Sequence, residues 1–204
     1  LPPIVQMFTG FATGVFEEVT YQEIKNAELW TRKSGMGSHQ SSQMKKDEWL
    51  TPPYILKALG EFHLDPCSPK NRPWDTAKKH YTIDDNGLMQ KWDGRVWLNP
   101  PYGHNTSKWL AKLANHGNGI ALIFSRTETK TFFSYVWNMA HALFFLKGRL
   151  YFYHSNGQKS TMNAGAPSAL VAYGEENAVC LAELDLLGQY IHLRQEYLKS
   201  AKPQ

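Results

Sequence analysis

From Thr51 onward, short apolar runs alternate with stretches whose apolar residues recur at helical spacing. A short apolar run bounded by turn residues predicts a strand, and helical spacing predicts one buried face of a helix. The predicted strands are FHLDPC, HYTI, RVWL, GIALIFSR, ALFFL, RLYFY and PSALVAYG. The predicted helices are TPPYILKALG, with Thr51 as its cap and Pro52 at the first helical position, TSKWLAKLANHG, TKTFFSYVWNMAH and a stretch from about Ala178 to Lys199. Strands that alternate with helices predict an α/β fold, in which helices cover both faces of a mostly parallel sheet.

Residues 1–48 follow a different pattern. An apolar start punctuated by glycines leads into a segment with a helix-start signal at Thr20, where Glu23 follows three residues later. Residues 34–48 are polar and rich in Gly and Ser, which is typical of a linker. The sequence therefore predicts an N-terminal extension and linker over residues 1–48 and one main domain over residues 49–204.

Composition narrows the class of protein. With 204 residues and 42% apolar content, the chain can form one globular core, and its net charge of +4 slightly favours polyanionic partners. Cys67 and Cys180 lie far apart without CxxC spacing, so we expect neither a disulfide framework nor a metal site. No apolar run approaches the roughly 20 residues of a membrane span, and the start lacks the basic region of a secretory signal. We therefore expect a cytoplasmic protein with no membrane partner.

The stretch GRVWLNPPYG places an amide, two prolines and a tyrosine directly after a short apolar strand. Consecutive prolines fix the backbone direction and remove two amide donors, so the chain leaves the sheet along a rigid path. Asn99 offers a side-chain carbonyl, Pro100 a main-chain carbonyl without a ladder partner, and Tyr102 a flat ring. Together they match a planar substrate that carries an amino group. The structural alternative is a Pro-Pro turn in which Asn99 caps the turn and Tyr102 packs on it.

This set of groups suits methyl transfer to an exocyclic amine. The lone pair of such a nitrogen is conjugated with its ring, which makes it a poor nucleophile. Two acceptors on its hydrogens draw the nitrogen toward a tetrahedral geometry and stabilise the positive charge that develops on it. An aromatic ring stacked on the substrate holds the nitrogen in line with the incoming methyl group.

Over residues 37–174 the chain resembles the phage-type DNA N6-adenine methyltransferases, which are Dam-like. The motifs that carry the resemblance are, in order, GSHQSS, DEWLTPP, LDPCSPKNRPW, HYTIDDNGL, GRVWLNPPYG, ALIFSRTETKTFF, FLKGRLYF and NAGAPSALVAYG. The resemblance implies a Rossmann-like methyltransferase fold, S-adenosylmethionine as methyl donor and adenine in double-stranded DNA as acceptor. It also implies a phage or prophage origin and a role in protecting DNA from restriction.

The resemblance assigns roles to particular residues. Asn99, Pro100, Pro101 and Tyr102 correspond to the catalytic motif, with Asn99 also next to the cofactor. Residues implied to bind S-adenosylmethionine are Thr51 and Pro52, which close over its methionine part, Asp65 with the adjoining Pro66 and Cys67, and either Asp84 or Asp85 on the ribose. Residues expected to contact nucleic acid are Tyr102, Arg126, Lys147 and Arg149. The structural alternative for Arg126 is a hydrogen bond to a helix end, and the alternative for the lysines is that they are simply solvated.

The chain departs from the usual cofactor motif at one point. Many methyltransferases follow the acid with a glycine-rich loop, whereas this chain reads DPCSPKNRP and has no glycine until Gly87. A backbone approach to the cofactor as close as a glycine loop permits is therefore not expected here.

Three other functions fit the same tetrapeptide: methylation of an RNA base, methylation of a protein glutamine, and DNA binding without catalysis. The flanking phage-type motifs favour DNA. No base-reading motif stands out, so DNA specificity is expected from loops such as 69–79 and 153–167, or from a partner or second subunit. Monomer and homodimer remain open.

Overall fold

The structure is a computed structural model that describes residues 49–103 and 105–193. The helix-start signal at Thr20, the linker and the division at residue 48 lie outside these residues and stay predictions, as does the end of the C-terminal stretch. The described residues form a mixed α/β structure with a sheet of seven strands. The strands are β1 Leu64–Asp65, β2 Lys79–His80, β3 Val96–Leu98, β4 Gly119–Phe124, β5 Ala142–Leu146, β6 Ser168–Tyr173 and β7 Gly188–His192.

The sheet has the strand order β2-β1-β3-β4-β6-β5-β7. Strands β2, β1, β3 and β4 pair in parallel, whereas β6 is antiparallel to both β4 and β5, and β7 is antiparallel to β5. The expectation of a mostly parallel sheet is therefore right for one half and wrong for the other. The physical reason is the connection from β5 to β6, which contains no helix and so returns the chain in the opposite direction.

Four helices occur within the described residues: α1 Pro53–Leu59, α2 Thr106–His116, α3 Lys130–Phe132, continued by a π-helical turn Phe133–Trp137, and α4 Glu175–Ala182. Helix α1 begins one residue later than predicted, with Pro52 as its cap and Pro53 in its first turn. The Thr51 side chain therefore does not cap it. The predicted end of α2 is confirmed, because Gly117 adopts a left-handed φ of 76° and its N–H bonds to the Leu113 carbonyl.

Two predicted elements are wrong. The stretch from Ala178 to Lys199 is helical only to Ala182, and residues 188–192 form β7 on the open edge of β5. A side chain at Gly188 would overlap the Phe144 ring at 2.2 Å, so this pairing depends on glycine. RLYFY is not a strand, since only Tyr153 makes isolated bridges, to Leu50 and Lys159.

Apolar residues on both faces of the sheet confirm that helices cover it on two sides. Trp97 of β3 packs in the cluster of α1 and α4, which includes Ile55 and Leu181. Its neighbours Val96 and Leu98 pack in the opposite cluster, which includes Leu110 and Val136. This alternation is the two-residue period of a strand between two layers.

The topology directs polar residues to one edge of the sheet. Strand β1 lies between β2 and β3 in the sheet. The connection from β1 therefore leads to one side of it, and the connection from β2 crosses back to the other side. A crevice forms at such a point beyond the carboxyl ends of the strands. Asp65 ends β1 and Asn99 directly follows β3. The fold therefore brings these two side chains to the same crevice.

Candidate active site

A cavity of about 510 Å³ lies at the carboxyl ends of β1 and β3. Four segments supply most of its lining: residues 49–51, residues 65–69 at and after the end of β1, residues 82–83 and 86–87 of the turn after β2, and residues 99–102 after β3. Trp97 and Trp109 are buried and also contribute to its wall. The cavity has the size of a typical small-molecule site, which is roughly 300–1,000 Å³.

Only one of the two polar atoms of the Asn99 side-chain amide has a hydrogen-bond partner among the described residues. Its Nδ2 donates a hydrogen bond of 2.9 Å to the carbonyl of Trp49, which fixes the amide orientation because a carbonyl can only accept. Its Oδ1 is buried and has no hydrogen-bond partner among the described residues. A buried acceptor without a partner costs about 1–3 kcal/mol, so this oxygen is poised for a donor from a ligand. Asn99 does not cap its own turn here.

The residues after Asn99 form a rigid corner. Pro100 is buried and Pro101 is half-buried, and the Thr106 hydroxyl donates to the Pro101 carbonyl at 2.8 Å, which ties the corner to the start of α2. The Tyr102 ring stacks on Phe124, with ring centroids 4.0 Å apart and planes 14° apart. One face of Tyr102 is therefore covered by protein.

The Tyr102 hydroxyl is buried without a described partner. Burial, followed by the nearby Cys67, raises the pKa of Tyr102, so its phenol is neutral at physiological pH. Tyr102 therefore contributes a neutral aromatic surface to the cavity and not a general base.

Asp65 is a buried carboxylate at the base of the cavity. It accepts hydrogen bonds from the Cys67 N–H at 3.1 Å and from the Thr76 hydroxyl. Burial raises the pKa of Asp65 to about 6, while the Thr76 hydroxyl and the Cys67 N–H act in the opposite direction. A cationic ligand group next to it would stabilise its charged form.

Cys67 links the two parts of the site. Its Sγ donates to the Asn99 main-chain carbonyl at 3.2 Å. Burial, followed by the charge of Asp65, raises the pKa of Cys67, so the thiol stays a neutral donor. Cys67 and Cys180 are both free thiols. Within residues 49–103 and 105–193, no group of three or more His, Cys, Asp or Glu residues could hold a metal ion.

Gly87 allows a close backbone contact between the turn after β2 and the segment after β1. A Cβ at Gly87 would lie 1.9 Å from the Pro66 carbonyl oxygen, so only glycine fits. Its own carbonyl accepts from Trp92 Nε1 at 2.8 Å. The turn after β2 is thereby held against the segment after β1, and both line the cavity.

Comparison with known proteins identifies the family. Residues 37–181 match the family model described as DNA N-6-adenine-methyltransferase (Dam), which is well over half of the chain. The chain belongs to the Dam family. The family implies a DNA adenine methyltransferase whose substrate is DNA, and the predicted resemblance is confirmed. No curated protein and no solved structure matches the chain. Among the described residues, no helix has the length and apolar character needed to cross a membrane.

Of the residues expected to bind S-adenosylmethionine, some line the cavity and others do not. Asp65, Pro66, Cys67, Asn99 and Thr51 line it. Thr51 is 1% exposed, and its hydroxyl is, after the Asn99 Oδ1 and the Tyr102 hydroxyl, a third buried polar group of the site without a described partner. Pro52 is buried but begins α1 instead of lining the cavity.

Neither Asp84 nor Asp85 lines the cavity. Asp84 forms an exposed ion pair of 2.6 Å with Lys70, and Asp85 accepts from the Thr82 N–H at 2.8 Å and the Thr82 hydroxyl at 2.9 Å. Both carboxylates are therefore already used at the surface or in the turn itself. The residues of this turn that line the cavity are Thr82, Ile83, Asn86 and Gly87.

Sequence reasoning missed Trp49 and Thr76. Trp49 acts through its main-chain carbonyl, which any residue could supply, so no side-chain pattern indicates it. Thr76 reaches Asp65 from a loop 11 residues away in the chain, and an isolated Thr in a loop carries no signal.

Of the residues expected to contact DNA, Tyr102 lines the cavity, whereas Arg126, Lys147 and Arg149 lie at the same edge of the sheet but outside it. Arg126 is exposed just after β4. Lys147 and Arg149 are exposed just after β5, which runs in the same direction as β4 because both are antiparallel to β6. The Arg149 side chain donates from Nη1 to the Ala164 carbonyl at 3.1 Å.

Proposed function

We propose that this protein transfers a methyl group from S-adenosylmethionine to N6 of an adenine that has rotated out of a DNA duplex. The observation that carries the proposal is the Asn99 side-chain oxygen, which is buried and unpartnered among the described residues in a cavity that also contains the Asp65 carboxylate. The reversal of strand order at β1 supports a Rossmann-like methyltransferase arrangement of the sheet.

The residues present fit S-adenosylmethionine. Asp65 offers a carboxylate for the ammonium of its methionine part, and the unpartnered Thr51 hydroxyl offers a further hydrogen bond. Thr82 and Asn86 offer neutral polar groups for the ribose, in place of the expected Asp84 or Asp85. When bound, this cofactor supplies an electrophilic methyl group.

Asn99 and Pro100 would hold the target amine. The Asn99 Oδ1 and the Pro100 carbonyl each accept one of its hydrogens, which localises the nitrogen lone pair and stabilises the developing positive charge. The bond from Asn99 Nδ2 to Trp49 prevents the amide from rotating away. Because these groups are positioned before the substrate arrives, little reorganisation is required during the reaction.

Tyr102 would hold the plane of the adenine. Phe124 covers one face of the Tyr102 ring, so a base would stack on the opposite face. In a duplex the amine is enclosed by the base stack, and the enzyme must therefore take the nucleotide out of the helix at a cost of a few kcal/mol.

The family match favours DNA over RNA or a protein glutamine as the substrate. The absence of a glycine-rich loop after Asp65 is the feature that favours a relative that binds DNA without catalysis. Asn99 and Tyr102 favour an active enzyme, because both line the cavity and the Asn99 Oδ1 has no partner among the described residues.

Labelled methyl transfer tests the proposal. The purified protein is incubated with methyl-labelled S-adenosylmethionine and, separately, with duplex DNA, RNA and protein, and the label is located by nuclease digestion. We expect N6-methyladenine in DNA only. Asn99→Ala should lose nearly all transfer, while calorimetry shows S-adenosylmethionine affinity within a few-fold of wild type and circular dichroism shows the fold retained. An active Asn99→Ala variant, or label in RNA or protein alone, would overturn the proposal.

A further inference from the structure

The connection between β5 and β6, residues 147–167, lies beside the candidate active site. It leaves the carboxyl end of β5 and returns to β6 at Ser168, whose partner on β4 is the terminal residue Phe124. Phe152 in this connection is buried and contacts Tyr102 edge-on, with ring centroids 6.3 Å apart. The inner side of the loop therefore packs directly against the proposed base-stacking ring.

The same loop has an unusual charge pattern. Its 21 residues contain Lys147, Arg149 and Lys159 but no Asp or Glu. All three cations are exposed. Glu175 and Glu176, by contrast, begin α4 at the opposite edge of the sheet, where β6 ends beside the start of β4. The positive charge of the loop is thus on the side where Asn99 and Tyr102 lie.

One cation of the loop is held in place by a ring. The Lys159 Nζ lies 5.1 Å from the centroid of the Tyr151 ring, and Tyr151 is 42% exposed. A cation over an aromatic face gains about 0.5–1 kcal/mol at an exposed site. The position of the ammonium is therefore restricted before any partner arrives, which lowers the entropy lost on binding.

The loop itself has a defined backbone. The Ser160 N–H donates to the Phe152 carbonyl at 2.8 Å, and the His154 N–H donates to the Gln158 carbonyl at 2.9 Å. Alternation along the loop places Tyr151 outside and Phe152 inside. These bonds support a fixed outer surface instead of a set of independent side chains.

We propose that Lys147, Arg149, Tyr151 and Lys159, here called the outer loop surface, bind the phosphate backbone of duplex DNA next to the flipped adenine. The proposal rests on the proposed function for its choice of polyanion. It adds the Tyr151 and Lys159 pair as a phosphate-binding unit, in which the ring positions the ammonium. Phosphate contacts of this kind orient the duplex without reading its sequence.

Salt-dependent DNA binding tests the outer loop surface. The affinity for a short fluorescein-labelled duplex is measured by anisotropy at several salt concentrations, without S-adenosylmethionine. Each lost phosphate contact reduces the slope of log affinity against log salt by about 0.9. We expect this reduction, with several-fold weaker binding, for Lys159→Gln. Lys57→Gln, which removes an exposed charge from the last turn of α1, should leave the slope unchanged.

Two further pairs of variants separate charge from loop structure. Arg149→Lys keeps the charge and should bind nearly as wild type, whereas Arg149→Gln should not. Tyr151→Phe keeps the ring beneath Lys159 and should preserve binding, whereas Tyr151→Leu should weaken it. Unchanged slopes for both Lys159→Gln and Arg149→Gln, or tighter binding of an RNA duplex than of the DNA duplex, would overturn the proposal.

The two proposals fail in different ways. If the wild-type protein methylates DNA but the loop variants bind DNA normally, the proposed function stands and the outer loop surface is wrong. If the wild-type protein neither binds S-adenosylmethionine nor methylates DNA, but loses duplex binding in Lys159→Gln, the surface stands and the proposed function is wrong.

Discussion

The single residue that most clearly separates function from stability is Asp65. Its carboxylate is 4% exposed, and burial raises its pKa from 3.8 to about 6. A shift of about two pKa units corresponds to about 3 kcal/mol, by which the charged form disfavours the folded state. The protein retains a carboxylate where a neutral group would be more stable, which is typical of a site whose charge serves a ligand.

Asp65→Asn should therefore stabilise the fold and weaken the binding of S-adenosylmethionine. At about pH 8 we expect the free energy of unfolding to rise by up to about 3 kcal/mol, because the amide carries no charge to bury. Its oxygen can still accept from the Cys67 N–H, while its NH2 group takes the place of the second carboxylate oxygen and donates to the Thr76 hydroxyl. Urea denaturation measures this change. Calorimetry should show that S-adenosylmethionine affinity falls at least about tenfold, since the proposed partner of its ammonium is lost.

The pH dependence gives an internal control for Asp65. Between pH 3.8 and about 6 the folded state holds a proton on Asp65 that the unfolded state releases, so the contribution of this group to stability grows as pH falls through about 6. The stability difference between Asp65→Asn and wild type should consequently shrink from about pH 8 to about pH 4. A difference that stays constant with pH would contradict the assigned pKa.

Among the elements, the bridge between residues 49–51 and the loop after β5 has the most direct consequence for Asn99. Leu50 and Tyr153 exchange two main-chain hydrogen bonds, of 2.8 and 3.0 Å. The neighbouring Trp49 carbonyl then holds the Asn99 amide. The loop therefore helps to position the Asn99 amide although it does not contain it.

Tyr153→Pro removes the N–H that donates to Leu50 and should loosen this arrangement. A main-chain hydrogen bond contributes about 1 kcal/mol, so we expect kcat/KM for methylation to fall by roughly five- to tenfold. Tyr153→Ala is the matched control, because it also loses the ring contact with Trp74 but keeps the N–H. Equal rates for the two variants would show that the bridge does not position Asn99.

The turn after β2 depends on Gly87 for its close packing against the segment after β1. Gly87→Ala would place a methyl group against the Pro66 carbonyl oxygen, and overpacking of this kind costs about 1–3 kcal/mol. We expect a lower free energy of unfolding and weaker S-adenosylmethionine binding, measured by denaturation and by calorimetry. Asp84→Ala, in the same turn, removes only a surface ion pair and should change neither. Normal cofactor affinity in Gly87→Ala would mean that this contact does not shape the cavity.

For the whole molecule, the sequence predicted the half of the sheet that carries the site better than the other half. RVWL and GIALIFSR were recognisable because strands buried on both faces are continuously apolar. The edge strand β7 was not recognisable, because GQYIH lacks the continuous apolar run of a buried strand. Its pairing with β5 is set by tertiary contacts. Asn99 was singled out from the chemistry of its motif and Asp65 from the family resemblance, whereas the main-chain role of Trp49 and the turn geometry around Asp85 depend on the folded backbone.

For the whole molecule, extrusion of the target adenine should affect how tightly the protein binds DNA. If an adenine must leave the duplex to reach Asn99, part of the binding energy is used to unstack it, at a cost of a few kcal/mol. A duplex with an abasic position opposite the target adenine has already lost that pairing, so we expect it to bind at least about tenfold more tightly. The target is first located by sequencing DNA that the protein has methylated. Competition binding then compares this duplex with one whose abasic position lies away from the target, and equal affinities for the two would mean that the adenine is not extruded.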